Sequence, residues 1–365
     1  MNQSNDTDHE SLTESCAIFR PSVITKISVV VVYIILFLAA CLANSFVVYL
    51  VRTRKELRQS TFNYLVVNMA VADILDVVLA TFTSLHFLPV PLQWIPGLIG
   101  NITCKLVYFL LVMSIGLSIS TLIIMSVDRY LAIVHTMRRP MTSPATKRCI
   151  AASWIISAIT ASPYLYKMGT KEKNSGSICI SVWSSDRELH LFYSKVEECV
   201  KFALYYALPL MAIGLTNAFV GHTLRKRQPI GCSQTQAKID RQNKNIYLLL
   251  VTVVALFAFC WIFAHINHLL QAFHFRSAYC KLPSFIPLFF FWISHANSAI
   301  NPIIYFIFNE KFRRGLKEAL RRKVNNEQIS RNVASQENPA LDDIELRKSG
   351  FIGGEENTGE YDTKL

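Results

Sequence analysis

Apolar residues run along this chain in blocks of membrane-crossing length, and most of the charge is collected in the segments between them. The blocks are Val23–Val51, Phe62–Leu88, Leu106–Val127, Ile150–Leu165, Phe202–Val220, Ile246–Leu270 and Leu282–Phe308. Each approaches or exceeds the roughly 20 residues that an α-helix needs to cross about 30 Å of hydrocarbon. A backbone in lipid has to satisfy its own hydrogen bonds, so every block is expected as a helix. The pattern predicts an all-α membrane protein, a seven-helix transmembrane bundle spanning residues 23–308. After the last block, "NEKFRRGLKEALRRK" spaces Phe312, Leu316, Ala319 and Leu320 at helical intervals among basic residues. That predicts an amphipathic helix over 309–323, lying on the inner membrane surface. Residues 1–22 form a polar outer tail, and 324–365, rich in Asn and Glu, a disordered cytoplasmic one. The connection from Met168 to Glu198 is expected as the longest outer loop, with a short hairpin at the β-prone "SICISVW".

Charge changes the picture by its placement. The formal net charge of +12 would suit a nucleic-acid partner if it formed one soluble face. It does not. Arg52, Arg54, Lys55 and Arg58 follow the first block, and Arg138, Arg139, Lys147 and Arg148 lie between the third and fourth. Arg225, Lys226, Arg227, Lys238, Arg241 and Lys244 separate the fifth and sixth, and Lys311, Arg313, Arg314 and Lys317 follow the seventh. Basic residues on every second connection predict an outer N-terminus and a cytosolic C-terminus in the plasma membrane, and leave no face for nucleic acid.

The opening "MNQSNDTDHE" holds no apolar stretch, so the first block is expected to act as its own targeting signal. Asn2-Gln3-Ser4, Asn5-Asp6-Thr7 and Asn101-Ile102-Thr103 are glycosylation sequons on the outer side. Of nine cysteines, Cys16, Cys104, Cys179 and Cys280 fall in or beside outer segments, where disulfides persist. Their pairing does not follow from the residues alone.

Polar groups inside the blocks are the candidate chemistry, because desolvating them is costly. Asp73 and Asp76 share one helix face in the second block. Ser114 and Ser118 lie in the third, and Asn297, Ser298 and Asn301 in the seventh. Two readings stay open: a hydrogen-bonded network that joins helices, or a water-filled cation pocket built on Asp73. Pro163, Pro209 and Pro302 each free a carbonyl and bend their helices. The run Leu106–Val127 has no charge over 22 residues, and then Asp128 and Arg129 stand side by side. No metalloprotease, serine-hydrolase or phosphate-loop motif occurs, so the chain is not expected to be an enzyme.

These residues resemble a rhodopsin-like (class A) G-protein-coupled receptor from about Val23 to Lys323. The marks, in order, are Asn44, "NMAVAD" ending at Asp73, Cys104, Asp128-Arg129-Tyr130, Trp154, Pro209, "FAFCW" ending at Trp261, and "NPIIY" from Asn301 to Tyr305. The resemblance implies that Arg129 pairs with Asp128 at rest and is released to contact a heterotrimeric G protein, with Tyr130 completing the triplet. It implies a sodium pocket at Asp73, Ser118, Asn297 and Asn301. No other cofactor is expected. It implies a packing switch at Pro209, Ile119 and Phe257 beneath Trp261, and a moving segment at Asn301, Pro302 and Tyr305. It implies a Cys104–Cys179 disulfide, which leaves Cys16 and Cys280 as a second candidate pair, and arrestin as a further cytosolic partner. The chain departs from the family in carrying Phe263 where a proline follows the tryptophan, and Asn217 where a tyrosine is usual.

Leu111 stands where amine receptors carry an aspartate, and His295 where opsins carry the retinal lysine. What remains is similar to neuropeptide receptors of the galanin, allatostatin and RFamide kind. An extracellular peptide would meet Gln93, Leu111, His265, His268, His295 and Glu188. A receptor for a lipid or other small non-amine molecule, or a ligand-independent one, is the alternative. The terminal "YDTKL" matches the strand that PDZ domains bind through the last carboxylate.

Overall fold

The computed structural model describes residues 23–86, 94–135, 141–173, 176–226, 234–273, 285–319 and 321. Asn2, Asn5, Cys16, Gln93, Cys280 and the terminal "YDTKL" lie outside the described residues. In order, the elements are α1 Val23–Thr53, α2 Lys55–Arg58, α3 Thr61–His86, α4 Gly97–Ile133, α5 Ser143–Ala161 and α6 Pro163–Lys167. They continue with β1 Met168–Lys173, β2 Gly176–Ser181, α7 Arg187–Phe202, a π-helical turn Ala203–Ala207, α8 Leu208–Lys226, α9 Gln234–Ala272 and α10 Phe285–Phe308.

Among the described residues, six helical stretches are long and apolar enough to cross a membrane: Ile27–Thr53, Thr61–Ser84, Gly97–Ile133, Ser143–Lys167, Arg187–Lys226 and Ile239–Ala272. The seventh, α10, has a polar middle made of Ser294, His295, Asn297, Ser298 and Asn301, all buried. α3 packs between α1 and α4. α4 packs on α5, α8 and α9, and α10 closes the ring between α9 and α1. The result is a seven-helix bundle with its polarity turned inward. Leu42, Ile155, Ile159, Met211, Leu215 and Phe259 are exposed, whereas Asn44, Asp73, Thr121 and Asn301 have no exposed surface.

The three prolines show how the backbone is satisfied at this depth. Pro302 has no amide to give to the carbonyl of Ser298, four residues back. Asn44 of α1 gives its Nδ2 hydrogen to that carbonyl instead, at 2.9 Å. Pro163 likewise frees the carbonyl of Ile159, which accepts from the Ser162 amide and hydroxyl at 3.2 and 2.8 Å. Ahead of Pro209 the helix widens into the π turn, the usual way to absorb a local break in the ladder. Without a proline at 263, α9 runs unbroken over 39 residues, and Phe263 packs on Phe290 of α10 and Phe259, each at 5.4 Å.

At one end of the bundle Cys104 of α4 is bonded to Cys179 of β2. The antiparallel hairpin pairs Thr170 with Cys179. Trp94 is tied to it by a 2.7 Å bond from its amide to the Ser177 carbonyl. Gly97 has a φ of +75°, and a Cβ at Gly100 would lie 1.5 Å from the Ile95 carbonyl oxygen, so both positions need glycine.

Two connections expected as loops are partly helical. The segment 187–198 is helix, not loop: Asp186 caps α7 by accepting from the Leu189 amide at 3.0 Å. Its apolar residues Leu189, Phe192, Tyr193, Val196 and Val200 recur at helical spacing, but the charges among them disguise the helix. α9 begins at Gln234, so the second half of the segment around Arg225–Lys244 is helical too. Asn101 lies inside α4, half-buried, with its carboxamide oxygen 3.3 Å from where a Gly169 Cβ would stand.

By internal packing the chain divides after Phe312. Phe312 is fully buried against Tyr305 and Phe306, with ring centroids 6.2 and 6.0 Å away. The unit from Arg313 onward is described at 313–319 and 321, where it is helical.

Candidate functional site

Three groups of polar residues lie along the bundle. The first is at the end opposite the disulfide. α4 does not stop at the charge pair but continues to Ile133. Asp128 is buried, and the mostly buried Arg129 folds back onto it. Arg129 Nε donates to Asp128 Oδ2 at 2.9 Å and Nη2 bonds the same oxygen. The guanidinium also lies 4.8 Å above the Phe62 ring. Asp128 Oδ1 has no hydrogen-bond partner among the described residues. The pair is thus closed on itself, each charge compensated by its neighbour. Tyr130 points elsewhere, its ring against His135 and Phe219 at 5.3 and 6.1 Å.

The second group is the polar core. Asp73 accepts from Asn301 Nδ2 at 2.9 Å and from the Ser118 hydroxyl at 3.3 Å. One turn along α3, Asp76 accepts from the Ser298 hydroxyl at 2.9 Å and faces His295 Nδ1 at 3.1 Å. Asn297 and Asn301 keep buried side-chain oxygens without a hydrogen-bond partner among the described residues. His295 is therefore bonded into the acid core. Its ring also meets Trp261 edge to face at 5.8 Å. Trp261 stacks toward Phe257 at 6.1 Å. Phe257 and Ile119 share one buried cluster with Ile213 and Tyr205. Pro209 is buried at the start of α8, and Pro302 and Tyr305 are buried in α10.

The third group lies toward the disulfide. His265 is buried among Phe202, Tyr206 and Trp261, with centroids at 5.6, 5.0 and 6.4 Å. His268 stands against Phe291 at 5.3 Å, its Nδ1 3.8 Å from Glu198. Glu198 bonds Lys201. Lys201 also lies 3.1 Å from Glu197, which bonds Lys167 of α6 and accepts from Trp183 Nε1 at 2.8 Å. Lys167 lies over the Tyr164 ring at 3.9 Å. Leu111 is half-buried in α4. Glu188 lies exposed in the first turn of α7, about two and a half turns from Glu197 and so on the opposite face. The ion-paired acids at this end are Glu197 and Glu198. Sequence reasoning missed Lys167, Lys201 and Trp183. The spacing of Glu197, Glu198 and Lys201 is a helical signal, but it was hidden in a presumed loop.

An inward-polar seven-helix bundle, with an Asp-Arg pair at one end and a disulfide-held hairpin at the other, defines a membrane receptor. The chain matches the 7 transmembrane receptor (rhodopsin family) over residues 43–305 and belongs to that family. It is a multi-pass G-protein-coupled receptor and not an enzyme. It is 30% identical over 293 residues to the substance-P receptor of Aquarana catesbeiana, covering 80% of this chain and 70% of that one. It is 28% identical over 284 residues to the neuromedin-K receptor of Homo sapiens, covering 77% and 59%. To the tachykinin-like peptides receptor 99D of Drosophila melanogaster it is 29% identical over 289 residues, covering 76% and 54%. The chain thus spans little more than half the length of the last two.

Glu197 touches both lysines of the third group, so Glu197→Gln leaves them short of a carboxylate. Thermal unfolding of detergent-purified receptor should show a loss of about 3 kcal/mol, as for one partner removed from a buried pair. The exposed Glu188→Gln should stay within about 0.5 kcal/mol of the parent. Equal effects from the two would mean that the network does not form.

Proposed function

We propose that the chain is a cell-surface receptor for a peptide of the tachykinin class, with its N-terminus outside and its Arg129 end facing the cytosol. The observation that carries this is the third group. Lys167, Glu197, Glu198, Lys201 and His268, set among Trp183 and Tyr164, offer polar anchors at the mouth of the bundle. A lipid calls for an apolar lining there; a peptide backbone and its side chains call for these donors and acceptors. The names of the relatives supply the peptide class. The galanin, allatostatin and RFamide kinds are the next candidates.

The mechanism starts from the closed pair. While Asp128 holds Arg129, the guanidinium is unavailable to a partner. Ligand at the mouth bears on Trp261 and Phe257, the helices shift, and Arg129 exchanges Asp128 for the G protein. Such an exchange at the membrane edge leaves no charge buried without compensation. Arrestin would use the same end, and a PDZ domain the terminal strand.

The oxygens around Asp73 fit a sodium ion. A carboxylate, the Ser118 hydroxyl and the unpartnered amide oxygens of Asn297 and Asn301 are hard donors, and a cation would compensate the buried acid.

Cells reporting G-protein activation, exposed to substance P, neuromedin K and substance K, should respond to at least one of them. A response only to galanin, allatostatin or RFamide peptides would move the subfamily, and a response only to lipids would overturn the peptide reading. With an agonist in hand, sodium should lower its affinity relative to choline, because the coupling is reciprocal. Asp73→Asn should remove that dependence. Identical sodium responses in parent and variant would exclude Asp73 as the ion's ligand.

A further inference from the structure

The polar core holds two buried acids, and the ion pocket accounts for one. Asp73 and Asp76 are three residues apart on one face of α3, so both look toward α10. Their closest partners differ, although Ser298 interacts with both. Asp73 takes Asn301 and Ser118, and Asp76 takes Ser298 and His295. Burying a second carboxylate is expensive, and an apolar residue would often be as stable there.

We propose that Asp76 is a positioning residue that couples the polar core to the Trp261 switch through His295. Both Asp76 oxygens lie within reach of His295 Nδ1, at 3.2 and 3.1 Å. A carboxylate only accepts, so Nδ1 carries the hydrogen, and the contact fixes both tautomer and ring orientation. The ring so held is the one that Trp261 meets at 5.8 Å and an interplanar angle of 74°. Trp261 in turn contacts Phe257 and His265. A rearrangement of Trp261, or of α10 against α3, therefore has to move this imidazole. Breaking its bond takes one of two donors from a buried carboxylate. Asp76 thereby biases the bundle toward the closed arrangement seen at Asp128 and Arg129.

The test is unstimulated nucleotide exchange on co-expressed Gα subunits of each class, in membranes matched for surface receptor. Asp76→Ala and His295→Ala should each raise basal exchange at least about fivefold, the low end of coupling between sites. The double variant should exceed neither single. Asp76→Asn, whose amide oxygen still accepts from Nδ1, should fall back toward the parent. Parent-like exchange in both alanine variants would overturn the proposal. So would additive effects, or an Asp76→Asn variant as active as Asp76→Ala. If Asp76→Ala fails to reach the surface, His295→Gln carries the test. Its amide still donates to Asp76, but it lacks the ring that Trp261 meets. It should rise about fivefold as well, and parent-like exchange there would overturn the proposal.

Discussion

A polar group at the centre of a bilayer has no water to turn to, so it must find its partner inside the protein. That requirement arranges most of what this bundle does. It places Asn44 beside the carbonyl that Pro302 leaves free, which joins α1 to α10. It sets Asn68 between α4 and α5, giving its amide to Thr121 at 2.8 Å and accepting from Trp154 Nε1 at 3.0 Å. It brings two α3 acids against α10. Apolar packing fills the space between these links, but the links decide which helix faces which.

The same requirement suits the bundle to switching. Asp73, Asp76 and Asp128 are all buried; the first two are held by side chains of neighbouring helices, and Asp128 by the adjacent Arg129. Moving such a group means exchanging one satisfied arrangement for another, and discrete alternatives of that kind give a protein two states rather than a continuum. The mouth network, the Trp261 aromatic cluster, the acid core and the Arg129 pair lie at successive depths. His295 spans two of them, because one ring bonds Asp76 and meets Trp261.

Features set by the membrane were legible in the sequence. Seven apolar blocks follow from hydrocarbon thickness, and Asp128 and Arg129 stand out against 22 uncharged residues. What escaped has two physical causes. Amphipathic helix near the interface reads as loop, because its charges break the apolar run. Hence the sequence places the start of the fifth-block helix near Phe202 and reads Glu188, Glu197 and Glu198 alike as loop charges, although about nine residues put Glu188 and Glu197 half a turn out of phase. Long-range pairs leave no local trace either. Lys167 meets Glu197 across 30 positions and His295 meets Asp76 across 219. His295 stands out as unusual in its block, but its partner Asp76 does not follow from the sequence.

The central claim is that Arg129 is held closed by Asp128 and acts on the G protein when released. Nucleotide exchange in Arg129→Ala and Asp128→Asn, measured side by side at matched surface expression, tests it most directly. Asp128→Asn should raise unstimulated exchange, and Arg129→Ala should abolish exchange with and without agonist while the receptor still reaches the surface. Undiminished exchange in Arg129→Ala would contradict the account.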